Sequence, residues 1–373
     1  MSQKQIPGWI YVLVIPLANI LLAAFVASLV FLYLEINPLD AVSTMFQGAF
    51  GDSRSTGYTL YYTTSFIFTG LAVAVAFHCG LFNIGGEGQA YIGALGVGLV
   101  CLALGGKVPF LILLPISILA AGVFGALWAL IPAWLQATRG SHIVITTIMF
   151  NFIASALMGY LLVEVLKPEG TMSVESAVFD QASWIPKIHE VFAIFGIKLK
   201  TSPLNLSIVW AILCSVGVYY FIWQTRWGYE IRSTGQNASA AEYAGIPLGK
   251  TVILTMLVSG MLAGFFALNV VQGEAHQIKL SLVNGMGFTG IAVALMGRNH
   301  PFGIVLASLL FGFLSQGGNE LQFEYGVDPR IIVVLQGLVI LFSGALENMM
   351  KHPIEKIYFK LVANRKTTAV GEA

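Results

Sequence analysis

Ten apolar runs, separated by charged residues, glycine or proline, constrain the fold of this chain more than any other feature. The chain has 373 residues, of which 57% are apolar and only 10% charged, whereas soluble domains carry about 25% charged residues. A run of about 20 apolar residues is long enough for a helix to cross a bilayer. The sequence therefore predicts an all-α, polytopic membrane protein with about ten transmembrane helices. The runs lie at 9–34, 57–77, 88–105, 109–135, 143–165, 204–223, 251–271, 286–297, 301–316 and 331–347.

Three of these runs are short for a full crossing, which predicts broken or tilted helices. They are the runs at 88–105, 286–297 and 301–316. Glycine-rich interruptions near residues 80–98 and 285–303 are each followed by a long apolar helix. Paired interruptions of this kind are typical of transporters built from two pseudo-repeated halves.

The same runs predict one transmembrane domain over the whole chain, with its membrane bundle at 9–347. An even number of crossings puts both termini on one side, and the cations concentrate on that side, which predicts cytoplasmic termini. The connection 166–203 then faces outward, either to dock a partner or as a solvated spacer. The loop 224–250 faces inward, and the basic tail 351–373 lies near anionic lipid headgroups.

Several function classes are disfavoured by composition and spacing. The formal net charge is +1 without a basic stripe, so no nucleic-acid partner is predicted. The three cysteines lack CxxC spacing and the histidines lack paired ligand spacing, so no metal site is predicted. No nucleophile and base share a helix face, so no catalytic residue is predicted. Residues 245–251 are one residue short of phosphate-loop spacing and open an apolar helix instead.

The first polar motif is GLFNIGGEGQ at residues 80–89, between two apolar runs. Its glycines break a helix, and the freed backbone groups must face protein or water because lipid cannot satisfy them. We expect the Glu87 carboxylate to face the bundle interior and to bond the amides of Gln89 or Asn83. With Asn151, these three residues are the predicted polar lining of a substrate pathway. The alternative is a cytoplasmic turn in which Glu87 is merely solvated.

The second motif is RSTGQNASAAEYAGI at residues 232–246. It predicts a short helix with Ser239 as its N-cap, Glu242 at its third position and Gly245 at its end. So short a helix is not stable alone and must pack on its own bundle or on a partner.

The third motif is GMGFTGIAVALMGRNHP at residues 285–301. Small residues at 287, 290 and 294 predict close helix packing. The polar turn 298–300 is either a simple connection or a further partner contact.

In this order, the three motifs resemble the permease family of bacterial ABC importers for simple sugars and nucleosides, over about residues 57–345. FNIGGEGQ at 82–89 looks like the nucleoside-type branch, and TTIMFN at 146–151 also fits. Ser141-His142 departs from that branch, which commonly has an Asn-Glu pair there. Residues 235–246 are similar to the segment that couples such permeases to their ATPase. The resemblance implies these coupling residues: Gly235, Asn237, Ala240, Ala241, Tyr243, Ala244 and Gly245.

The resemblance implies a permease subunit that carries a nucleoside or a related simple sugar inward across the bacterial cytoplasmic (inner) membrane. It also implies three partners: a separate ATPase, a second permease subunit that is either the same chain or a paralogue, and an extracytoplasmic substrate-binding protein. ATP and magnesium would be bound by the ATPase, and the chain itself would hold no cofactor. The competing hypothesis is an ion-coupled secondary carrier in which Glu87 binds a proton or sodium ion.

Overall fold

The computed structural model describes residues 15–342, which are mostly α-helical and form no β-strand. The first seven helices are α1 (Ile15–Tyr33), α2 (Pro38–Phe50), α3 (Ser53–His78), α4 (Gly86–Leu104), α5 (Phe110–Arg139), α6 (Ile143–Glu164) and α7 (Ile188–Ile194). The next seven are α8 (Ser207–Gln224), α9 (Arg226–Gln236), α10 (Ala238–Tyr243), α11 (Leu248–Gly264), α12 (Met286–Met296), α13 (Pro301–Tyr325) and α14 (Pro329–Ile340). A π-helix at Leu268–Ala275 extends α11.

Among the described residues, seven helices are long and apolar enough to cross a membrane, or eight if the bent pair at the start of the chain counts as one span. The predicted polytopic helical fold is thus confirmed, but the predicted count of about ten is not. The third motif forms the short helix α12 rather than a full-length span. The basic tail 351–373, both termini and the end of the last predicted run lie outside the described residues.

The connection between the first two apolar runs contains a helix that the sequence analysis did not predict. A separate helix, α2, follows α1 at an angle of 110°. The physical reason is Pro38, because proline disfavours a helical conformation in the residue before it and is well suited to begin a new helix. The side-chain oxygen of Asn37 accepts a hydrogen bond from the Leu39 N–H at this turn.

The described residues form two compact units, one of residues 15–48 with 317–342 and the other of residues 49–316. Within the first unit, α1 packs on α14. Within the second unit, α11 packs closely on α5 because glycines face each other: a Cβ added at Gly125 would lie 2.2 Å from the Gly260 carbonyl oxygen. The predicted close packing by the third motif is confirmed at Gly290, where an added Cβ would lie 2.6 Å from Thr69 Cβ.

Candidate functional site

The break between α3 and α4 lies inside the second unit. After His78 the chain leaves the helix, with Gly80 in the left-handed region (φ 72°), and α4 begins only at Gly86. The side chains of Asn83 and Gln89 are 0% and 1% exposed. The non-helical stretch 79–85 is therefore buried at Asn83 and Gly85 but exposed at Gly80, and its inner part is covered by protein, as polar backbone in a membrane bundle requires.

The amide side chains of Asn83 and Gln89 bond each other across the break. Asn83 Nδ2 donates to Gln89 Oε1 at 3.0 Å and to Ser259 Oγ at 2.9 Å. Asn83 Oδ1 accepts from the Gly85 N–H at 2.8 Å. The Ser259 hydroxyl in turn donates to the Ala72 carbonyl oxygen at 2.6 Å, which ties α11 to α3 and to the break.

Asn151 fastens the same segment to α6. Its Nδ2 donates to the Ile84 carbonyl oxygen at 3.0 Å, and its Oδ1 accepts from the Gly88 N–H at 2.9 Å. These bonds replace helical partners that the break removes. The structure thus brings Asn83, Gln89 and Asn151 together around one stretch of backbone, and their role in a substrate pathway stays a prediction.

Glu87 points from the first turn of α4 to the beginning of α12. Its Oε1 accepts from the Gly285 N–H at 2.8 Å and its Oε2 from the Gly287 N–H at 2.9 Å. The prediction that Asn83 or Gln89 would supply these donors was wrong, because those two amides bond each other. A helix N-terminus offers unpaired N–H groups and partial positive charge, and both favour a carboxylate.

Glu87 contacts the beginning of α12, so the length of that helix separates it from the turn at Asn299. This helix has 11 residues, or about 16 Å at 1.5 Å per residue, which is about half of a 30 Å hydrocarbon core. It ends near Asn299, whose carbonyl oxygen lies 3.0 Å from His78 Nε2 at the end of α3. Glu87 is half-buried, so the alternative of a solvated surface turn does not describe it.

The second motif forms two short helices rather than one. Asn237 ends α9 and caps α10, where its Oδ1 accepts from the Ala240 N–H at 3.0 Å. The prediction that Ser239 is the N-cap was therefore wrong by two residues. Asn237 has the extended backbone that an N-cap requires, while Ser239 already lies within the helix. The predicted end at Gly245 is confirmed by its left-handed φ of 82°.

The segment from Asn237 to Gly245 presents most of its predicted coupling residues to solvent. Tyr243 is 96% exposed, and Ala240, Ala244 and Gly245 are exposed as well. Ala241 is only 3% exposed and holds the helix to its own chain. We name residues 237–245 the α10 segment.

Gly235, near the end of α9, contacts the break directly. A Cβ added there would lie 2.2 Å from the His78 carbonyl oxygen and 2.8 Å from the Gly80 nitrogen. Only a residue without a side chain allows two backbones to approach so closely. The α10 segment is thus joined through α9 to the chain that leads to Glu87, a contact that sequence spacing did not indicate.

The connection 166–203 folds onto the end of the bundle where α3 begins. The ring of Trp184 stacks on the ring of His276, with the ring centroids 3.7 Å apart. Burial, together with the nearby Lys187 charge, lowers the pKa of His276 to about 4. Lys200 Nζ lies 2.7 Å from Asp52 Oδ2 and holds the pKa of the Asp52 carboxyl well below its usual range. We name this end of the bundle the loop end.

Two adjacent cavities of about 630 and 260 Å³ open at the loop end. Tyr58, Pro203 and Glu274 line both of them. The sequence analysis missed these cavities, although tyrosines at positions 58, 61 and 62 of an otherwise apolar run were a readable signal. No group of three or more potential metal ligands is found among residues 15–342.

The chain has helices long enough to cross a membrane, and the beginnings of α4 and α12 meet inside the bundle. The exposed α10 segment is joined to α4 through α9 and the break. This is the architecture of a multi-pass membrane permease. Residues 55–344 match the family described as "Branched-chain amino acid transport system / permease component". The chain therefore belongs to this family of ABC importer permeases. This confirms the family predicted from the three motifs and decides against the ion-coupled carrier.

Three curated relatives align with most of the chain. The Guanosine ABC transporter permease protein NupP of Bacillus subtilis is 34% identical over 338 residues, which cover 89% of this chain and 93% of that protein. The Nucleoside ABC transporter permease protein NupB of Lactococcus lactis is 33% identical, with 88% and 89% covered. The Glucose ABC transporter permease protein TsgB13 of Haloferax volcanii is 31% identical, with 91% and 89% covered.

Proposed function

We propose that this permease imports a nucleoside, driven by ATP hydrolysis on a separate subunit. The observation that supports the substrate is that two relatives named for guanosine or nucleoside transport align over nearly their whole length. A relative named for glucose transport aligns almost as well, so a simple sugar is the substrate to test against.

The α10 segment is the part of the chain that we propose binds the ATPase. A helix of 6 residues is too short to be stable alone, and Tyr243 offers an almost fully exposed aromatic ring. Large aromatic side chains that enter a pocket are frequent energetic anchors of protein interfaces. Closure of the ATPase would then displace α10 together with α9.

The contact of Gly235 with His78 and Gly80 is the route by which we propose this displacement reaches the membrane interior. Backbone packed on backbone has no flexible side chain between its two parts, so a shift of α9 must shift the chain after α3. That chain leads within a few residues to Asn83 and Glu87. The bonds of Glu87 to α12 are the predicted point at which access to the pathway changes.

Asn83, Gln89 and Asn151 have a double role in this proposal. In the present conformation Asn83 and Asn151 bond the backbone of the break, and Gln89 bonds the Asn83 side chain. When the break moves, the same amides become donors and acceptors for the hydroxyls or base edge of the passing substrate. Such a site binds weakly in either state, which suits rapid release.

We further propose the remaining partners and the location. A second permease subunit completes the pathway, a substrate-binding protein delivers the nucleoside at the loop end, and ATP with magnesium binds only to the ATPase. The protein lies in the bacterial cytoplasmic membrane with both termini in the cytoplasm.

The test is uptake of radiolabelled guanosine, cytidine and glucose by cells that express the permease with the ATPase and binding-protein genes of its operon. We expect accumulation of at least one nucleoside above its external concentration and no accumulation of glucose. Accumulation of glucose but of neither nucleoside would contradict the proposed substrate. The matched control is an ATPase with its catalytic residue replaced, which should abolish accumulation.

A further inference from the structure

We propose that the two cavities at the loop end form the site where a ribonucleoside enters the permease. This inference rests on the proposed function and adds to it the residues that recognise the base and the ribose. The larger cavity, of about 630 Å³, falls in the usual range of about 300 to 1,000 Å³ for small-molecule sites.

Tyrosine rings on α3 provide a surface for the base. Tyr58 and Tyr62 are four residues apart and so share one face of the helix, where both line the smaller cavity. Tyr61 packs edge-on against Tyr62 with ring centroids 5.5 Å apart, which restricts the Tyr62 ring. Any nucleobase offers a flat π face, so stacking on such a ring recognises bases as a class.

Glu274 provides an acceptor for the ribose. It lies in the last turn of the π-helix, lines both cavities and is exposed. An ionised carboxylate only accepts hydrogen bonds, and its two oxygens match the two adjacent hydroxyls of a ribose.

Charge at the cavities disfavours a cation as the solute, because every carboxylate there is accompanied by at least one cation. Lys187 lines the larger cavity and Lys279 the smaller one, so each cavity contains one of these cations beside the Glu274 carboxylate. Lys200 also lines the larger cavity, but its ammonium is paired with Asp52. Arg54 lines the larger cavity as well, 5.8 Å from the centroid of the Tyr58 ring, so the cations in this cavity outnumber its one carboxylate.

The smaller cavity leads toward Glu87. Asn284 and Met286 line it, and Gly285 between them donates its N–H to the Glu87 carboxylate. The Tyr91 hydroxyl, one turn further along α4, donates to the Leu280 carbonyl oxygen. The wall of the cavity is thus held by α4, so movement of the break would also move this wall.

The experiment uses the complete transporter in proteoliposomes, with the binding protein saturated by adenosine or by 2′-deoxyadenosine. Saturation makes the rate report on steps in the permease rather than on capture. Glu274→Gln should lower the rate for adenosine about tenfold and the rate for 2′-deoxyadenosine about twofold, since only the first has both hydroxyls. Tyr62→Leu should lower both rates about tenfold, as expected for loss of stacking.

Matched controls separate recognition from general damage. Glu169→Gln and Tyr160→Leu make the same changes at exposed positions outside the cavities and should leave both rates unchanged. Tyr62→Trp keeps a stacking ring and should retain the wild-type rate, which a purely structural role of the tyrosine hydroxyl would not permit. Copurification with the ATPase verifies that each variant assembles.

Two different failures are distinguishable. If the wild-type transporter carries neither of these nucleosides nor guanosine or cytidine, the proposed function fails. If it carries only guanosine or cytidine, that nucleoside and its 2′-deoxy form replace the adenosine pair. If it carries both while Glu274→Gln and Tyr62→Leu match it, or if Glu274→Gln slows both substrates equally, the inference about this site is overturned and the proposed function stands.

Discussion

The break around Glu87 and the α10 segment use the same residue types for opposite purposes. At the break, the Asn83 amide is buried and bonds other buried groups, whereas the Asn237 amide lies on the surface and caps a helix. Gly235 allows the backbone of α9 to contact the backbone of His78 and Gly80. Gly245 has no atom within 4 Å of an added Cβ, and glycine is required there only because the backbone is left-handed. The first region is stabilised by contacts within its own chain, whereas the second leaves most of its surface exposed.

The largest loss of stability is expected where Glu87 is replaced. Glu87→Ala removes two charge-assisted hydrogen bonds and leaves the N–H groups of Gly285 and Gly287 unpaired, at a cost of about 3 kcal/mol in the free energy of unfolding. We expect uptake to be lost as well. Thermal unfolding of the purified protein measures the first effect, and Glu87→Gln should recover part of it. An unchanged melting temperature in Glu87→Ala would contradict this role.

A smaller but substantial loss is expected at Gly235. Gly235→Ala places a methyl group against the His78 carbonyl oxygen, and such overpacking costs about 1 to 3 kcal/mol. The matched control is Gly217→Ala on α8, where no atom lies within 4 Å of the new Cβ. The ratio of uptake to ATP hydrolysis should fall only in the first variant. Equal ratios of uptake to ATP hydrolysis in the two variants would show that the contact of α9 with the break has no part in coupling.

The next effect is local to the α10 segment. Asn237→Ala removes the cap of α10 and should destabilise this helix by about 1 kcal/mol, whereas Ser239→Ala should have no comparable effect. Hydrogen exchange of the backbone amides at 240–243 measures the difference. Faster exchange in Ser239→Ala than in Asn237→Ala would show that Ser239, not Asn237, caps α10.

The smallest change in stability is expected at Tyr243, together with a large change in function. Tyr243→Asp alters a side chain that is 96% exposed, so the free energy of unfolding should change by no more than about 0.5 kcal/mol. Binding of the ATPase and ATP-driven uptake should both be lost. Copurification and uptake assays test this, and full uptake in the variant would rule out the proposed anchor.

These two regions also differ in how far the sequence predicts them. The broken helix near residue 80, the short helix before Gly245 and the close packing at Gly290 are local consequences of glycine and small-residue patterns, so the sequence analysis found them. The donors to Glu87 come from residues about 200 positions further along the chain. No local pattern indicates such a pairing.

The same limit explains the other differences. The choice of Asn237 over Ser239 depends on where the backbone turns at the end of α9, which tertiary packing determines. The contact of Gly235 with His78 joins elements that are far apart in the chain. The cavities at the loop end are formed by α3, the π-helix and the connection 166–203 together, and only the tyrosines of α3 were visible beforehand.

The most direct test of the central claim is to reconstitute the permease in vesicles with and without its ATPase and binding protein, and to measure accumulation of a radiolabelled nucleoside. If force received at the α10 segment moves the break at Glu87, uphill accumulation requires the ATPase and ATP and stops when either is omitted. Uphill accumulation by the permease alone, driven by an imposed proton or sodium gradient, would contradict the account.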